Sequence, residues 1–213
     1  MEAIIANTQN FKYKMMYKMH EIKEIHNENI VANMIESLGD DPSRPGLEGT
    51  PSRVVKMWKE LFRGYDLEQK PKITTFNNGA DGIAYDQMIM DTGKFYSHCE
   101  HHMVPFFGYY WFGYIPSKTG KVLGLSKVGR LVDYHAAKLQ VQERLGQDII
   151  NDLWNCLCDD AVMPLGMGLI LKGEHLCKTM RGARKEGTMT TVALKERFLD
   201  LEVKNEFLKL IEL

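Results

Sequence analysis

Cys99, Glu100, His101 and His102 stand together in the sequence, and His175 and Cys177 stand together far down the chain. Cys99 and His102 are three positions apart, a spacing that lets a thiolate and an imidazole grip one cation. Cys177 would add a second thiolate. Two thiolates and one imidazole leave the fourth position of a zinc ion to water, which is the pattern of a catalytic rather than a closed structural site. A zinc ion so held lowers the pKa of its water toward neutrality. His101 and His175 are left over, each beside a ligand, and imidazoles titrate near neutral pH, which suits proton transfer. The alternative is a chance cluster at a strand end, with Cys177 a buried thiol. Cys156 and Cys158 compete as ligands. However, Cys-x-Cys neighbours on a helix point about 200° apart, so they read as packing residues.

Two further groups could bind an anionic, polar ligand. Ser126, Lys127 and Arg130 follow Gly124 at an expected helix start, where free N–H groups and the helix dipole favour phosphate. Lys127 and Arg130 share one side of the first turn. Arg181 follows the second His/Cys pair and adds a cation there. In isolation, Lys127 and Arg130 read better as a solvated helix face. Gln142 and Glu143 open the next helix. A carboxylate with two acceptor oxygens can take the N1–H and the exocyclic amine of guanine together. The same composition also fits a helix-capping segment.

These residues need elements to position them. Asn27–Leu38 reads as a helix stopped by Gly39. Thr50 as N-cap and Pro51 at the first position start a second helix, running to Gly64. The pattern then changes to short strands at 72–76, 87–91 and 95–99, and a longer one at 104–115 that is aromatic on both faces. A strand apolar on both faces is sandwiched by other layers or buried in an oligomer. Helices are expected at 126–139 and 142–157, strands at 163–172 and 188–195, and a closing helix at 201–210. The order implies an α+β fold, an antiparallel sheet with helices on one face. We expect an N-terminal arm over 1–25, an N-terminal helical segment over 26–70 and a catalytic domain over 71–213.

Composition narrows the class. The 213 residues are 44% hydrophobic and 26% charged, with a formal net charge of −1. That is ordinary globular composition, without a basic field for nucleic acid. No apolar run is long enough to span a membrane, and the N-terminus lacks the form of a secretory signal. Four cysteines without such a signal read as thiols or ligands rather than disulfides. A cytoplasmic protein with no nucleic-acid or membrane partner is expected.

Taken together, LGDDPSRPGLEGTPSRV, FRGYD, CEHHMVPF, GYIP, VLGLSKVGRLVD, KLQVQERL and EHLCKTMRG, in this order, resemble the zinc-dependent GTP cyclohydrolase I family from about Asn29 to Leu213. The resemblance implies the tunnelling fold (T-fold) and hydrolytic opening of the GTP imidazole ring. Formate would leave, and rearrangement would give 7,8-dihydroneopterin triphosphate. It implies Cys99, His102 and Cys177 as ligands of Zn2+, and His101 and His175 as catalytic histidines, with Ser126 helping in late steps. It implies Glu143 on the guanine edge with Gln142 beside it, and Lys127, Arg130 and Arg181 on the triphosphate together with Ser126. Arg53 and Lys56 are implied as further phosphate-side cations. It also implies a homo-oligomer, a decameric ring with active sites at subunit interfaces. The chain departs from the family pattern at KEGTMTTVALKERF, where small residues are common.

Three other readings remain at this stage. A deazaguanine nitrile reductase on the same fold needs a thioimide-forming cysteine and NADPH rather than this triad. A nucleotide hydrolase could stop at the ring-opened formamide or after formate loss. A silent metal-bound scaffold would need neither the spare histidines nor Glu143.

Overall fold

The computed structural model describes residues 24–124, 126–159 and 162–211. The expected arm therefore lies almost wholly outside the described residues. The chain divides into two compact units, one reaching to Glu68 and one spanning Gln69–Leu213.

The first unit contains helices α1 (Glu24–Ser37) and α2 (Thr50–Leu61). Val31, Ile35 and Val55 form its small core, with Leu47, Val54 and Trp58 packed around them. Gly39 has φ +88° and follows α1 as a left-handed stop. The start of α2 differs from expectation by one residue: Gly49 is the N-cap and Thr50 lies inside the helix. The Thr50 hydroxyl accepts a 2.9 Å hydrogen bond from the Arg53 guanidinium instead of capping the backbone.

The second unit is built on a five-stranded sheet in the order β5-β2-β3-β6-β7. The strands are β2 (Ile89–Cys99), β3 (Pro105–Ile115), β5 (Leu139–Gln140), β6 (Gly166–His175) and β7 (Thr188–Glu196). β2, β3, β6 and β7 pair antiparallel, while the short β5 lies parallel to β2. β1 (Thr75–Asn77) and β4 (Lys121–Leu123) form a separate two-stranded ribbon. The two strands expected at 87–91 and 95–99 are one continuous strand, because Thr92–Lys94 keep pairing with Tyr109–Trp111. β6 begins and ends later than expected and carries its pairing through to His175.

Helices α3 (Lys127–Ala136) and α4 (Gln142–Leu157) are inserted between β3 and β6 and cover one sheet face. Strand alternation puts Phe106, Tyr110, Phe112 and Tyr114 of β3, and Met167, Leu169 and Leu171 of β6, on that face. Leu145, Ile149 and Leu153 of α4 and Leu131 of α3 are fully buried against them. Two strands, two helices and two strands, with the helices layered on one face, are the tunnelling fold. α5 (Leu176–Thr179) is a single turn after β6.

The closing helix α6 (Leu201–Ile211) covers one end of the opposite face, where Phe198, Val203 and Phe207 pack with Ile115 and Ile170. Glycines make the seat: a Cβ on Gly113 would come within 2.9 Å of Phe207, and one on Gly168 within 2.5 Å of Phe198. The rest of this face is open and aromatic. Tyr96 stacks on Phe107 at 6.1 Å, and the Lys94 ammonium lies 5.6 Å from the Tyr109 ring centroid. Tyr96 is 65% exposed and Tyr109 49%.

Between α3 and α4 lies a half-buried ionic cluster. The Asp152 carboxylate meets His135 Nε2 at 2.7 Å and Lys70 Nζ at 2.6 Å. Burial alone would raise the Asp152 pKa, but the hydrogen bonds from His135 and Lys70 outweigh it and hold the group at about 2. The ordinary unfolded carboxyl lies near about 4, so this stabilisation is complete above about pH 4 and disappears as pH falls toward 2. Allowing for partial solvent screening, the effect is about 1–2 kcal/mol. Acid unfolding followed by circular dichroism should show stability falling less steeply between pH 4 and 2 in Asp152→Asn than in the unsubstituted chain.

Candidate metal centre and the adjoining cavity

β3 brings the two His/Cys clusters to the same end of the sheet. Its register sets Pro105 opposite His98 of β2 and Phe106 opposite His175 of β6. Cys99 therefore ends one neighbouring strand where His175 ends the other. The hairpin turn between β2 and β3 is closed by Cys99 N–H to the Val104 carbonyl at 2.9 Å and Met103 N–H to the Cys99 carbonyl at 2.7 Å. Met103 sits at φ 54°, the left-handed conformation that lets so short a turn reverse.

Donor atoms of Cys99, His102 and Cys177 lie within 4.8 Å of one another, a group that could hold a metal ion. Cys99 Sγ is 3.9 Å from His102 Nδ1. A tetrahedral zinc bound by thiolate and imidazole sets such donors roughly 3.6 Å apart, so the present spacing fits with a small inward movement. Burial, and then the neighbouring Cys99 thiol, push the Cys177 thiol upward. A divalent cation between two thiols reverses that tendency and holds both as thiolates. The donor set thus fits zinc. Cys156 and Cys158 lie at the far end of α4, outside this group.

The remaining histidines have different surroundings. His101 is mostly exposed, with Nδ1 3.8 Å from Cys99 Sγ and Nε2 3.9 Å from Glu100. His175 lies flat on Phe106, with ring centroids 4.6 Å apart and planes 4° apart. Burial lowers its pKa, with Glu143 opposing and Lys178 adding to that effect, so the neutral ring dominates at pH 7. Its Nε2 is 2.9 Å from Gln142 Oε1. The Gln142 amide nitrogen donates to the Leu171 and Met189 carbonyls, both at 3.0 Å, and to Thr191 Oγ1 at 3.2 Å. Those carbonyls fix the amide orientation, so Oε1 must accept and His175 Nε2 must carry the proton. Nδ1 is then the ring's free lone pair.

Gln142 was expected beside the base as a ligand-binding residue. Its side chain is only 1% exposed and its amide is fully engaged by β6, β7 and His175. Its oxygen holds the His175 ring through Nε2. Glu143, next in the first turn of α4, points the other way: it is exposed and carries no hydrogen bond or ion pair among the described residues. It lines a cavity of about 220 Å³ with Gly146 and Gln147 of α4, Leu169 and Leu171 of β6, and Thr191 of the edge strand β7.

Ser126 is the N-cap of α3, and Lys127 and Arg130 lie in its first turn. Arg181 follows α5, close enough to Cys177 for its charge to act on that thiol. Lys127, Arg130 and Arg181 form no ion pair among the described residues. Arg53 and Lys56 belong to α2 in the other unit. Sequence reasoning missed Phe106, the flat support of His175, and Arg144, which bonds Glu100 and Gln140. Both stand inside the CEHHMVPF and KLQVQERL motifs, but their roles depend on strand register.

Residues 27–212 match the family model for GTP cyclohydrolase I. The chain belongs to the GTP cyclohydrolase I family. It is 40% identical over 195 residues to a Streptomyces coelicolor protein named GTP cyclohydrolase 1, covering 90% of this chain and 92% of that one. It is 42% identical over 180 residues to the Janthinobacterium protein of the same name, covering 83% and 86%. A Streptococcus suis GTP cyclohydrolase 1 is 40% identical over 187 residues, covering 86% and 95%. Among solved structures, the apo archaeosine synthase QueF-Like is similar at 17% identity and a TM-score of 0.38, over 51% of this chain and 92% of that one. As a member of the GTP cyclohydrolase I family the chain is an enzyme, and its function is that of the family.

Proposed function

We propose that this enzyme is zinc-dependent and acts on GTP, opening the imidazole ring by hydrolysis, releasing formate and rearranging the remainder to 7,8-dihydroneopterin triphosphate. The observation that carries this reading is the grouping of Cys99, His102 and Cys177 beside a neutral, oriented His175. Within it, residues 71–213 are the catalytic domain, 26–70 an N-terminal helical segment and 1–25 an arm.

Each residue has a task in this mechanism. Cys99, His102 and Cys177 hold zinc, which when bound supplies Lewis-acid activation of water. Glu143 accepts two hydrogen bonds from the N1–H and exocyclic amine of guanine, a donor pair adenine lacks. Its lack of any other partner among the described residues supports that task. Lys127, Arg130 and Arg181 bind the triphosphate with charge-assisted hydrogen bonds, and the α3 N-terminus at Ser126 adds its dipole. Arg53 and Lys56 join them on the family resemblance alone. His175 takes and returns protons through Nδ1, since Nε2–H is held by Gln142. His101, more exposed, exchanges protons with solvent. Ser126 assists the later ribose steps. The product would feed pterin or tetrahydrofolate synthesis in the cytoplasm. No helix among the described residues is long and apolar enough to cross a membrane.

We also propose a homo-oligomer, a decameric ring with active sites at subunit interfaces. The exposed aromatic face around Tyr96 and Tyr109, and the outer edge of β7, which pairs with no further strand among the described residues, support it, because exposed sheet edges and apolar patches of this kind are covered in stable proteins.

Three measurements test these readings. Metal analysis should find about one zinc per chain, and Cys177→Ser should lose both zinc and turnover; full activity in metal-free protein would sink the metal reading. Glu143→Gln should keep its zinc yet turn GTP over at least about 100-fold more slowly, whereas unchanged kinetics, or equal use of ATP, would remove the case for a guanine-reading site. Light scattering should give a mass many times that of one chain, and a fully active monomer would contradict the ring.

A further inference from the structure

Arg144 stands one residue after Glu143 and makes a fork of bonds that the mechanism above does not use. Its Nε donates to Gln140 Oε1 at 2.8 Å, its Nη2 reaches the Leu139 carbonyl at 3.4 Å, and the same Nη2 pairs with the Glu100 carboxylate. Glu100 lies between Cys99 and His101 in the hairpin turn. Its backbone N–H also donates to the Gln140 carbonyl at 3.0 Å. Gln140 is 2% exposed, and its amide nitrogen is shared by the His135 carbonyl and Asp148, each at 3.2 Å. The fork thus rests on a buried, saturated amide at the end of β5 and reaches across to the turn that carries Cys99 and His102.

An ordinary exposed ion pair contributes little, because water screens it and two long side chains must be ordered. This one differs in construction. The guanidinium is planar, its donors diverge at fixed angles, and one of them is already tied to Gln140. The remaining donors can therefore meet Glu100 in one place only. The pair joins two segments that must face each other, the hairpin turn and the first turn of α4.

We propose that Glu100 and Arg144 are positioning residues, which hold the metal-binding turn in register with the α4 turn that presents Glu143. The inference rests on the reading of Glu143 and the Cys/His group given above. Neither residue need touch the substrate. Their effect is on the distance between the base held at Glu143 and the reactive end of the site, where a displacement of about 1 Å can cost on the order of 100-fold in rate.

The consequence is a split in the kinetics. With the pair broken, GTP still finds Glu143 and the phosphate-binding cations, so KM changes little. The metal donors are all present, so zinc remains bound. Only kcat falls, because the bound substrate is misaligned.

The test compares full-length Glu100→Gln, Arg144→Gln, Arg144→Lys and the double variant Glu100→Gln/Arg144→Gln with the unsubstituted enzyme. Formation of the fluorescent oxidised pterin gives the rate, and metal analysis gives the zinc content. Each single variant should lose about tenfold or more in kcat, with KM within about twofold and zinc unchanged. The double variant should be no slower than the slower single, since both changes break one connection. Arg144→Lys keeps the charge without the fork and should stay slow. Unchanged kcat in the single variants, losses that multiply in the double, or loss of zinc with kcat would each overturn the proposal. Failure of the unsubstituted enzyme to convert GTP would instead remove the functional reading beneath it.

Discussion

The pairing of β3 with both of its neighbours is the constraint on which the whole site depends. Cys99 lies at the end of β2, His175 at the end of β6, and neither strand touches the other; β3 runs between them. Register alone brings the two ends together, through His98 opposite Pro105 and Phe106 opposite His175. A slip of one residue on either side would turn every side chain of that strand to the wrong face. The fully buried Phe106 prevents it from within, because it must sit under the helices while its ring supports the His175 imidazole. One aromatic side chain thus serves the core and the site together.

Gln142 is a second such junction. A buried amide needs all of its polar atoms satisfied, and loses stability if any is left without a partner. Here the partners come from β6, β7 and the histidine after β6. The start of α4 is therefore tied to β6 and the edge strand β7 by a polar clasp, where most of the helix is held by leucines and isoleucines. The same clasp leaves Glu143, the next residue, facing the cavity. Adjacent residues in a first helical turn diverge, so burying one commits the other to the opening.

Much of this was legible in the sequence. The spacing of Cys99 and His102, and the second pair at His175 and Cys177, marked the donors Cys99, His102 and Cys177 that the structure does bring together. Hydrophobic periodicity marked α4 and the doubly apolar β3. Less was legible where tertiary pairing overrides local pattern. Thr92, Gly93 and Lys94 look like a break between two strands, yet ladder pairing with β3 carries the chain through them. The two-residue β5 has no periodicity to detect, and Thr50 is displaced from the cap position by Gly49. The task of Gln142 could not be read either. A glutamine at a helix start looks alike whether it faces a ligand or the core, and only the carbonyls of distant strands decide. Arg144 was hidden for the same reason, its partners being a strand end and a turn far away in sequence.

The hairpin turn also bears on when the cation group becomes complete. Cys99 and His102 belong to a turn closed by local hydrogen bonds, whereas Cys177 is delivered only when β6 lies down on β3. During synthesis the turn leaves the ribosome well before Cys177 does. A chain at that point holds two donors of the group, and the third is added only when β6 pairs with β3. First-row divalent ions differ in affinity for such donors in a fixed order whatever the protein. Because the third donor arrives only with the β6–β3 pairing, an ion held by all three would come from the metal pool around a chain already paired that far, rather than from the pool at the ribosome.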